Sequence, residues 1–313
     1  MIDAAARGVR VRLLIDSVGS LATPQRIIKQ LRRGGVDVRR FMPLLLNPVR
    51  GRTNLRNHRK LAIADQQCLW SGGRNLCDEY FYPRPGHPAW IDMTFDVAGP
   101  IAQQATAQFE QDWNRTRQIS TAPADSQMVD SPEGSDCLCQ WIPCGPDQLE
   151  DSVHDLLMVA AYQARSQILA VTPHFVPNEA LLNAWCTASR CGVRVHLVVP
   201  RQSNHRLADI ARERALRQLV DAGGQVYLSS TTVHAKCIVI DDQIPLCGTV
   251  NLDGRSLFLN YEVMTAFYSQ PEIARLSGWV NKLSDESEPY ESRQPAWLKD
   301  LTEGVVRSVG FQL

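Results

Sequence analysis

Two short stretches carry residues that could do chemistry: "HRKLAIAD" at 58–65 and "HAKCIVID" at 234–241. Each places a lysine two residues after a histidine and an aspartate five residues beyond that. The match runs on, because Gly72 and Asn75 follow His58 by 14 and 17 residues, and Gly248 and Asn251 follow His234 by the same 14 and 17. A lone His-x-Lys means little, whereas two copies that agree at five positions are a signal. On a strand, alternate residues share a face, so His58 and Lys60 are expected to point one way, and His234 and Lys236 likewise. Packing the two copies about a pseudo-twofold would then gather two His, two Lys and two Asn in one cleft.

Such a cleft suits a phosphodiester. Lys60, Lys236, Asn75 and Asn251 can hold its non-bridging oxygens and stabilise the charge of a phosphoryl transition state. An imidazole with an ordinary pKa of about 6.5 allows one ring to be neutral and the other protonated near neutral pH. The neutral ring can attack phosphorus while the protonated one gives its proton to the leaving oxygen. In the second half-reaction the acid turns base and activates water or an alcohol. Two histidines are required, which accounts for the duplication. The sequence offers no His, Cys or carboxylate cluster suited to a metal, and no cofactor is expected.

The elements that must position these residues repeat as well. "GVRVRLLID" (8–16) parallels "GVRVHLVVP" (192–200), each a β-rich run suited to a buried strand. Helical stretches follow near 22–33 and 205–221, then a double glycine and another strand at 34–41 and 223–229. "KLAIAD" and "KCIVID" read as the strands bearing the motif. The pattern strand–helix–strand–strand, twice, predicts an α/β protein of two homologous halves, each a mixed β-sheet flanked by helices, with the active site between them.

The second half has more in front of its GVRV segment: a helix at 147–164, a strand at 167–172, the loop "PHFVPNE" and a helix at 179–190. Aligning the two GVRV segments puts Met1 opposite Trp185. The first half is therefore expected to be N-terminally incomplete, lacking an opening strand and helix of about 35 residues. Between the halves, 121–136 is rich in Ser, Pro, Ala and Asp and reads as a linker. The expected division is 1–120, the half with the His58 motif; 121–140, linker; and 141–313, the half with the His234 motif. "WIDMTFDVAGP" (90–100) reads as a strand with a helix after it at 101–113, and a terminal helix sets Trp297, Leu298, Leu301, Val305 and Val309 on one apolar face.

At 313 residues, 44% hydrophobic and 21% charged, the chain has a globular balance and ample length for real cores. No apolar run of about 18 residues is present to span a membrane. The nine cysteines show no framework spacing and read as small buried hydrophobes in a reducing compartment. The net charge of zero is unevenly spread: residues 1–60 hold 14 Lys/Arg against 3 Asp/Glu, so the remaining 19 against 30 carry an excess of 11 negative charges. A basic N-terminal region suggests an anionic partner, lipid headgroup or nucleic acid.

With these residues in place, the chain resembles the phospholipase D superfamily, whose signature is H-x-K-x-x-x-x-D followed by a Gly-rich G-x-N. More narrowly it resembles bacterial cardiolipin synthases. The first half shows "NHRKLAIAD", "SGGRNLCDEYF" and "WIDMTFDVAGP"; the second shows "VHAKCIVIDD" and "GTVNLDGRSLFLNYE". The resemblance covers essentially the whole chain. It implies a covalent phosphohistidine intermediate, with His58 as nucleophile and His234 as general acid and base. Asp65 and Asp241 complete the catalytic motif and are expected to hold the motif's own turns. An acidic residue downstream of each motif should orient an imidazole, the candidates being Asp92 for His58 and Glu262 for His234, and both are counted among the residues around the bound substrate. His174 stands where tyrosine is frequent and would line the substrate pocket, and Thr249 replaces the commoner serine. The implied setting is the cytoplasmic side of the inner membrane, with peripheral contact.

The segment at 41–57 mixes Phe41, Met42 and Leu44–Leu46 with Arg50, Arg52 and Arg56 just before His58, and has no counterpart in the other half. An apolar tip with basic flanks suits an anionic bilayer surface. The leading expectation is a phosphatidyltransferase that condenses two phosphatidylglycerols into cardiolipin, and burial of both histidines within one chain means that a monomer suffices. Hydrolysis of phospholipid or nucleic acid is the alternative. A nuclease would show a basic groove with stacking aromatics, whereas here the basic excess accompanies an apolar loop, so nucleic acid is no part of the leading reading. A third class, an inactive membrane-binding scaffold, is countered by the intact His and Lys of both motifs.

Overall fold

The computed structural model describes residues 1–42, 55–116 and 137–295, together with 297, 303, 304 and 306. The apolar and basic tip of the 41–57 segment, the linker at 121–136 and all but Trp297 of the apolar face expected on the last helix lie outside the described residues.

The first half runs α1 (Ile2–Ala6), β1 (Arg12–Asp16), α2 (Gln25–Arg33), β2 (Asp37–Phe41), β3 (Leu61–Ala64), β4 (Cys68–Gly72), β5 (Thr94–Ala98) and α3 (Pro100–Arg115). The second opens with β6 (Cys139–Cys144), α4 (Ser152–Gln163), β7 (Gln167–Val171), β8 (Phe175–Val176) and α5 (Glu179–Arg190). It continues with β9 (Arg194–Pro200), α6 (Arg206–Asp221), β10 (Gln225–Ser229), β11 (Cys237–Ile240) and β12 (Ile244–Gly248). It closes with β13 (Leu252–Asp253), α7 (Gly254–Phe258), β14 (Glu262–Phe267), α8 (Gln270–Asp285) and β15 (Glu288–Pro289).

The two halves share a pairing pattern. β1 runs parallel to β2 as β9 does to β10, and β3–β4–β5 form an antiparallel meander as β11–β12–β14 do. In the second half, β7 joins the two groups, parallel to β9 and antiparallel to β11. Its sequence, QILAV, is apolar on both faces, and all five residues are buried, as a central strand requires. The result is one eight-stranded sheet, β15-β10-β9-β7-β11-β12-β14-β6. Among the described residues no strand takes the corresponding place between β1 and β3, so the first half holds two sheets rather than the single mixed sheet expected. The faces follow suit: six of the seven residues of β9 are buried, whereas all five of β1 are only half-buried.

The halves meet in an apolar layer. Val233, Ala235, Cys237 and Val239 from the second half pack with Ile91, Met93, Phe95 and Val97 from the first, and Phe95 meets Phe267 edge-on with ring centroids 5.1 Å apart. β6 leans the other way, since Cys139 and Trp141 pack against Leu69, Ile101, Ala102 and Ala105 of the first half.

Candidate active site

The motif residues do not lie on the strands themselves. β3 begins at Leu61 and β11 at Cys237, so His58, Lys60, His234 and Lys236 occupy the extended segments leading into them. Those segments are held by backbone bonds from the opposite half. His58 N–H donates to the Tyr261 carbonyl (2.9 Å) and Tyr261 N–H to the Arg56 carbonyl (2.8 Å). In the same way, His234 N–H donates to the Ile91 carbonyl (2.7 Å) and Ile91 N–H to the Thr232 carbonyl (2.9 Å). Each contact is a parallel bridge, Asn57 with Tyr261 and Val233 with Ile91.

This lacing decides which carboxylate serves which ring. The residue after Tyr261 is Glu262, whose carboxylate lies 2.8 Å from His58 Nδ1. The residue after Ile91 is Asp92, whose Oδ2 lies 2.9 Å from His234 Nδ1. The expected pairing, Asp92 with His58 and Glu262 with His234, is thereby corrected: each histidine takes its carboxylate from the other half. Both acids were also expected among the substrate-binding residues, and both instead engage an imidazole. With each Nδ1 tied to a carboxylate, the two Nε2 atoms are the nitrogens left for chemistry.

Close approach on both sides depends on glycine. A Cβ on Gly73 would lie 2.2 Å from Asp92 Oδ1, and one on Gly248 would lie 2.2 Å from the Val263 carbonyl. In the second half, Thr249 stands where Gly73 stands in the first. Its hydroxyl takes a bond from Val263 N–H (3.0 Å), and it hydrogen-bonds Glu262 as well.

The lysines are buried behind the rings. Lys60 Nζ donates to the His58 carbonyl (2.7 Å) and Lys236 Nζ to the His234 carbonyl (2.6 Å). Lys236 Nζ also lies 2.8 and 3.1 Å from the two ring nitrogens of His234. Burial pulls the Lys60 ammonium down to about 8 despite Glu262 and Asp92. Burial, with Lys60 adding to it, pulls Lys236 down to about 7. The carboxylates diverge: burial pushes Asp92 up to about 6, while for Glu262 the charges of His58 and Lys60 outweigh burial and hold it below its ordinary range. Both imidazoles are pulled below their ordinary value by burial and by the lysines, His234 much further than His58. Burial is the first cause of all four depressions, and the two ammonium groups share the site with two carboxylates, Glu262 and Asp92.

The other expected residues divide. Asn75 donates to the Tyr80 hydroxyl (2.8 Å), and the Tyr80 ring meets His234 edge-on at 5.1 Å, so Asn75 reaches the site through Tyr80. Asn251 is buried, donates to Asp253, and leaves its side-chain carbonyl without a partner among the described residues. His174 is buried 5.3 Å from His205, its Nδ1 also unpartnered among the described residues, and burial together with the Lys236 charge holds it far below its ordinary value. Asp241 is no part of the reacting cluster: its carboxylate accepts the N–H groups of Arg165 (2.7 Å), Ser166 (2.8 Å) and Gln167 (2.9 Å), fastening the start of β7. Asp65 sits at the equivalent turn, also with positive φ, and is exposed.

Sequence reasoning missed Arg59, Asp112 and Asp147, a buried ionic group behind His58, and the aromatic pair Tyr80 and Trp90 around His234. The signal for the first was an arginine in a motif position where the repeat has Ala235.

Comparison with known proteins places the chain in a family. Residues 1–113 and 157–284 match the family described as cardiolipin synthase, PLD-like domain. The chain is 33% identical over 305 residues to cardiolipin synthase A of Escherichia coli O1:K1 / APEC, covering 96% of this chain and 62% of that protein. It is 36% identical over 271 residues to cardiolipin synthase A of Erwinia tasmaniensis, covering 84% of this chain and 55% of that one. It therefore spans less than two thirds of the length of these relatives. Among solved structures, phosphatidylserine synthase of Haemophilus influenzae Rd KW20 shares the fold, with a TM-score of 0.69 at 15% identity over 97% of this chain and 83% of that one.

Proposed function

Because the chain belongs to the cardiolipin synthase, phospholipase D-like domain family, we propose that it is a phosphatidyltransferase that moves a phosphatidyl group from one phosphatidylglycerol to another. The observation that carries this reading is a single cluster in which two histidines, each with Nδ1 on a carboxylate, stand beside two buried lysines.

His58 Nε2 attacks phosphorus, the bond from phosphorus to the glycerol oxygen breaks, and that oxygen takes a proton from His234 Nε2. Free glycerol leaves, and the phosphatidyl group stays on His58, whose Nδ1–H remains on the ionised Glu262. His58 suits the attack because its side chain is 28% exposed against 6% for His234. In the return step His234 Nε2 takes the proton of a hydroxyl on the second phosphatidylglycerol, that oxygen attacks phosphorus, and the N–P bond breaks. Lys60 and Lys236 hold the non-bridging oxygens, with Asn75 and Asn251 at the edge of the same site and His174 in its wall. The charge of an incoming phosphodiester counteracts the depression of both lysines and of His234, so substrate binding restores the proton that the acid must donate.

The division into halves at 1–120 and 141–313 about a linker at 121–140 goes with this reading, as does the packing of the halves about a pseudo-twofold. So does peripheral contact with an anionic bilayer on the cytoplasmic side, with one chain sufficient for catalysis. No helix among the described residues is long and apolar enough to cross a membrane.

The test is purified protein in mixed vesicles of labelled phosphatidylglycerol, with products resolved by mass. Cardiolipin and glycerol are expected, both lost in His58→Ala and His234→Ala. Phosphatidic acid without cardiolipin would move the assignment to hydrolysis.

A further inference from the structure

Arg59 lies between the two catalytic residues of the first motif and faces away from them. Its side chain is 1% exposed and all of its donor nitrogens are engaged. Nη1 donates to both oxygens of Asp112 (2.9 and 3.1 Å), and Nη2 donates to both oxygens of Asp147 (2.9 and 3.0 Å) and to the Cys144 carbonyl (3.3 Å). Nε donates to the carbonyl of Glu262, the residue whose carboxylate holds His58 (3.0 Å). The two aspartates are anchored in turn. Asp112 takes a bond from Asn57 (2.9 Å), and Asp147 takes one from Gln108 (3.1 Å) and forms an ion pair with Arg115 (3.0 Å).

A buried ion network of this kind is a poor source of stability, since well-packed apolar side chains of similar volume do as well or better. The molecule supplies that comparison itself: the matching residue of the second motif is Ala235, fully buried in the apolar layer between the halves. What the ionic version adds is direction. Asp112 lies on α3 of the first half and Asp147 follows β6 of the second. A planar guanidinium bound to both at fixed angles sets where the Glu262 backbone can sit.

We propose that Arg59 is a positioning residue: braced by Asp112 and Asp147 across the two halves, it fixes the Glu262 backbone and thereby the orientation and proton placement of His58. The proposal rests on the phosphodiester chemistry above, so the test pairs turnover with a readout that needs none.

Arg59→Lys keeps the charge and can reach the aspartates, but it loses the Nε donor to Glu262. The companion variant is Arg115→Lys, which alters the same network without touching Glu262. Single-turnover rates with phosphatidylglycerol, pH–rate profiles and 15N spectra of the His58 ring are compared at matched foldedness. For Arg59→Lys we expect kcat to fall about 10- to 100-fold with KM little changed, a displaced acid limb of the profile, and a shifted His58 Nδ1 resonance. Arg115→Lys should lower the melting temperature while leaving kcat and the His58 resonance in place. Should Arg59→Lys not fold, Arg59→Ala supplemented with free guanidinium takes its place, and recovery of the rate on addition is expected. A folded Arg59→Lys with wild-type kcat and an unmoved His58 resonance would overturn the proposal, as would equal losses in both variants in proportion to their stability. If the wild type turns over no lipid but the His58 resonance still moves in Arg59→Lys and not in Arg115→Lys, the positioning role stands and the phosphatidyltransferase reading falls.

Discussion

The two motif regions hold the same reacting atoms on different supports. Around His58, the residue between histidine and lysine is Arg59, embedded in an ionic group with Asp112 and Asp147. Around His234 it is Ala235, in an apolar layer. Behind His234, β7 completes a sheet and Asp241 fastens its start, whereas near His58 no described strand lies between β1 and β3 and Asp65 is exposed. The carboxylates differ as well, an ionised glutamate on one side and an aspartate pushed up to about 6 on the other. A duplicated motif therefore conserves geometry at the ring nitrogens and ammonium groups and leaves everything behind them free to differ. The roles of the two histidines can part only through those supports.

The largest effects should come from the rings. His58→Ala and His234→Ala should each lower the rate by about 10⁴-fold or more. Denaturant quench of a single turnover at mildly alkaline pH, where a histidine N–P bond survives, should find the label on His58, and label on His234 would reverse the comparison. Lys60→Met and Lys236→Met should lose about 10²- to 10³-fold in kcat and yet become more stable. Both ammonium groups bind their protons less tightly in the folded chain, so their contribution is favourable above the ordinary lysine value of 10.5 and is lost as pH falls through about 8 for Lys60 and about 7 for Lys236. The gain in melting temperature should accordingly be largest near pH 6 and vanish in strong base. A pH-independent gain would mean that these charges are screened.

Smaller effects separate the carboxylates. Glu262→Gln and Asp92→Asn should each cost about 10- to 100-fold in rate. The acid limb of the pH–rate profile should change more in Asp92→Asn than in Glu262→Gln, because burial pushes Asp92 up to about 6 whereas Glu262 is held below its ordinary range. The smallest effect concerns the motif aspartates. Asp241→Ala removes three backbone bonds to the start of β7 and should cost about 2 kcal/mol in urea unfolding, while Asp65→Ala should leave the midpoint where it is. Equal losses would show that Asp65 fastens its own turn as firmly as Asp241 does.

Much of this was legible in the sequence. The paired offsets from His58 and His234 to lysine, glycine and asparagine located the site, and the repeated GVRV segments located the strands that flank it. The crossed pairing of Glu262 and Asp92 was not legible, because an acid that follows a motif in the chain can serve either ring. Only the backbone lacing of Tyr261 and Ile91 decides between them. Arg59 stood in a variable motif position and gave no sign of facing away from the site. Tyr80 reaches His234 through a fold of the 73–90 connection whose spacing has no match in the other half.

The crossed carboxylates carry a consequence for how the protein comes into being. Neither half, folded alone, holds its motif histidine on a carboxylate, since each of these two rings waits for an acid that the other half carries. The full set of carboxylate-held rings therefore appears all at once, when the two halves dock, and a partly assembled chain lacks it. The site works as a coincidence detector for its own assembly.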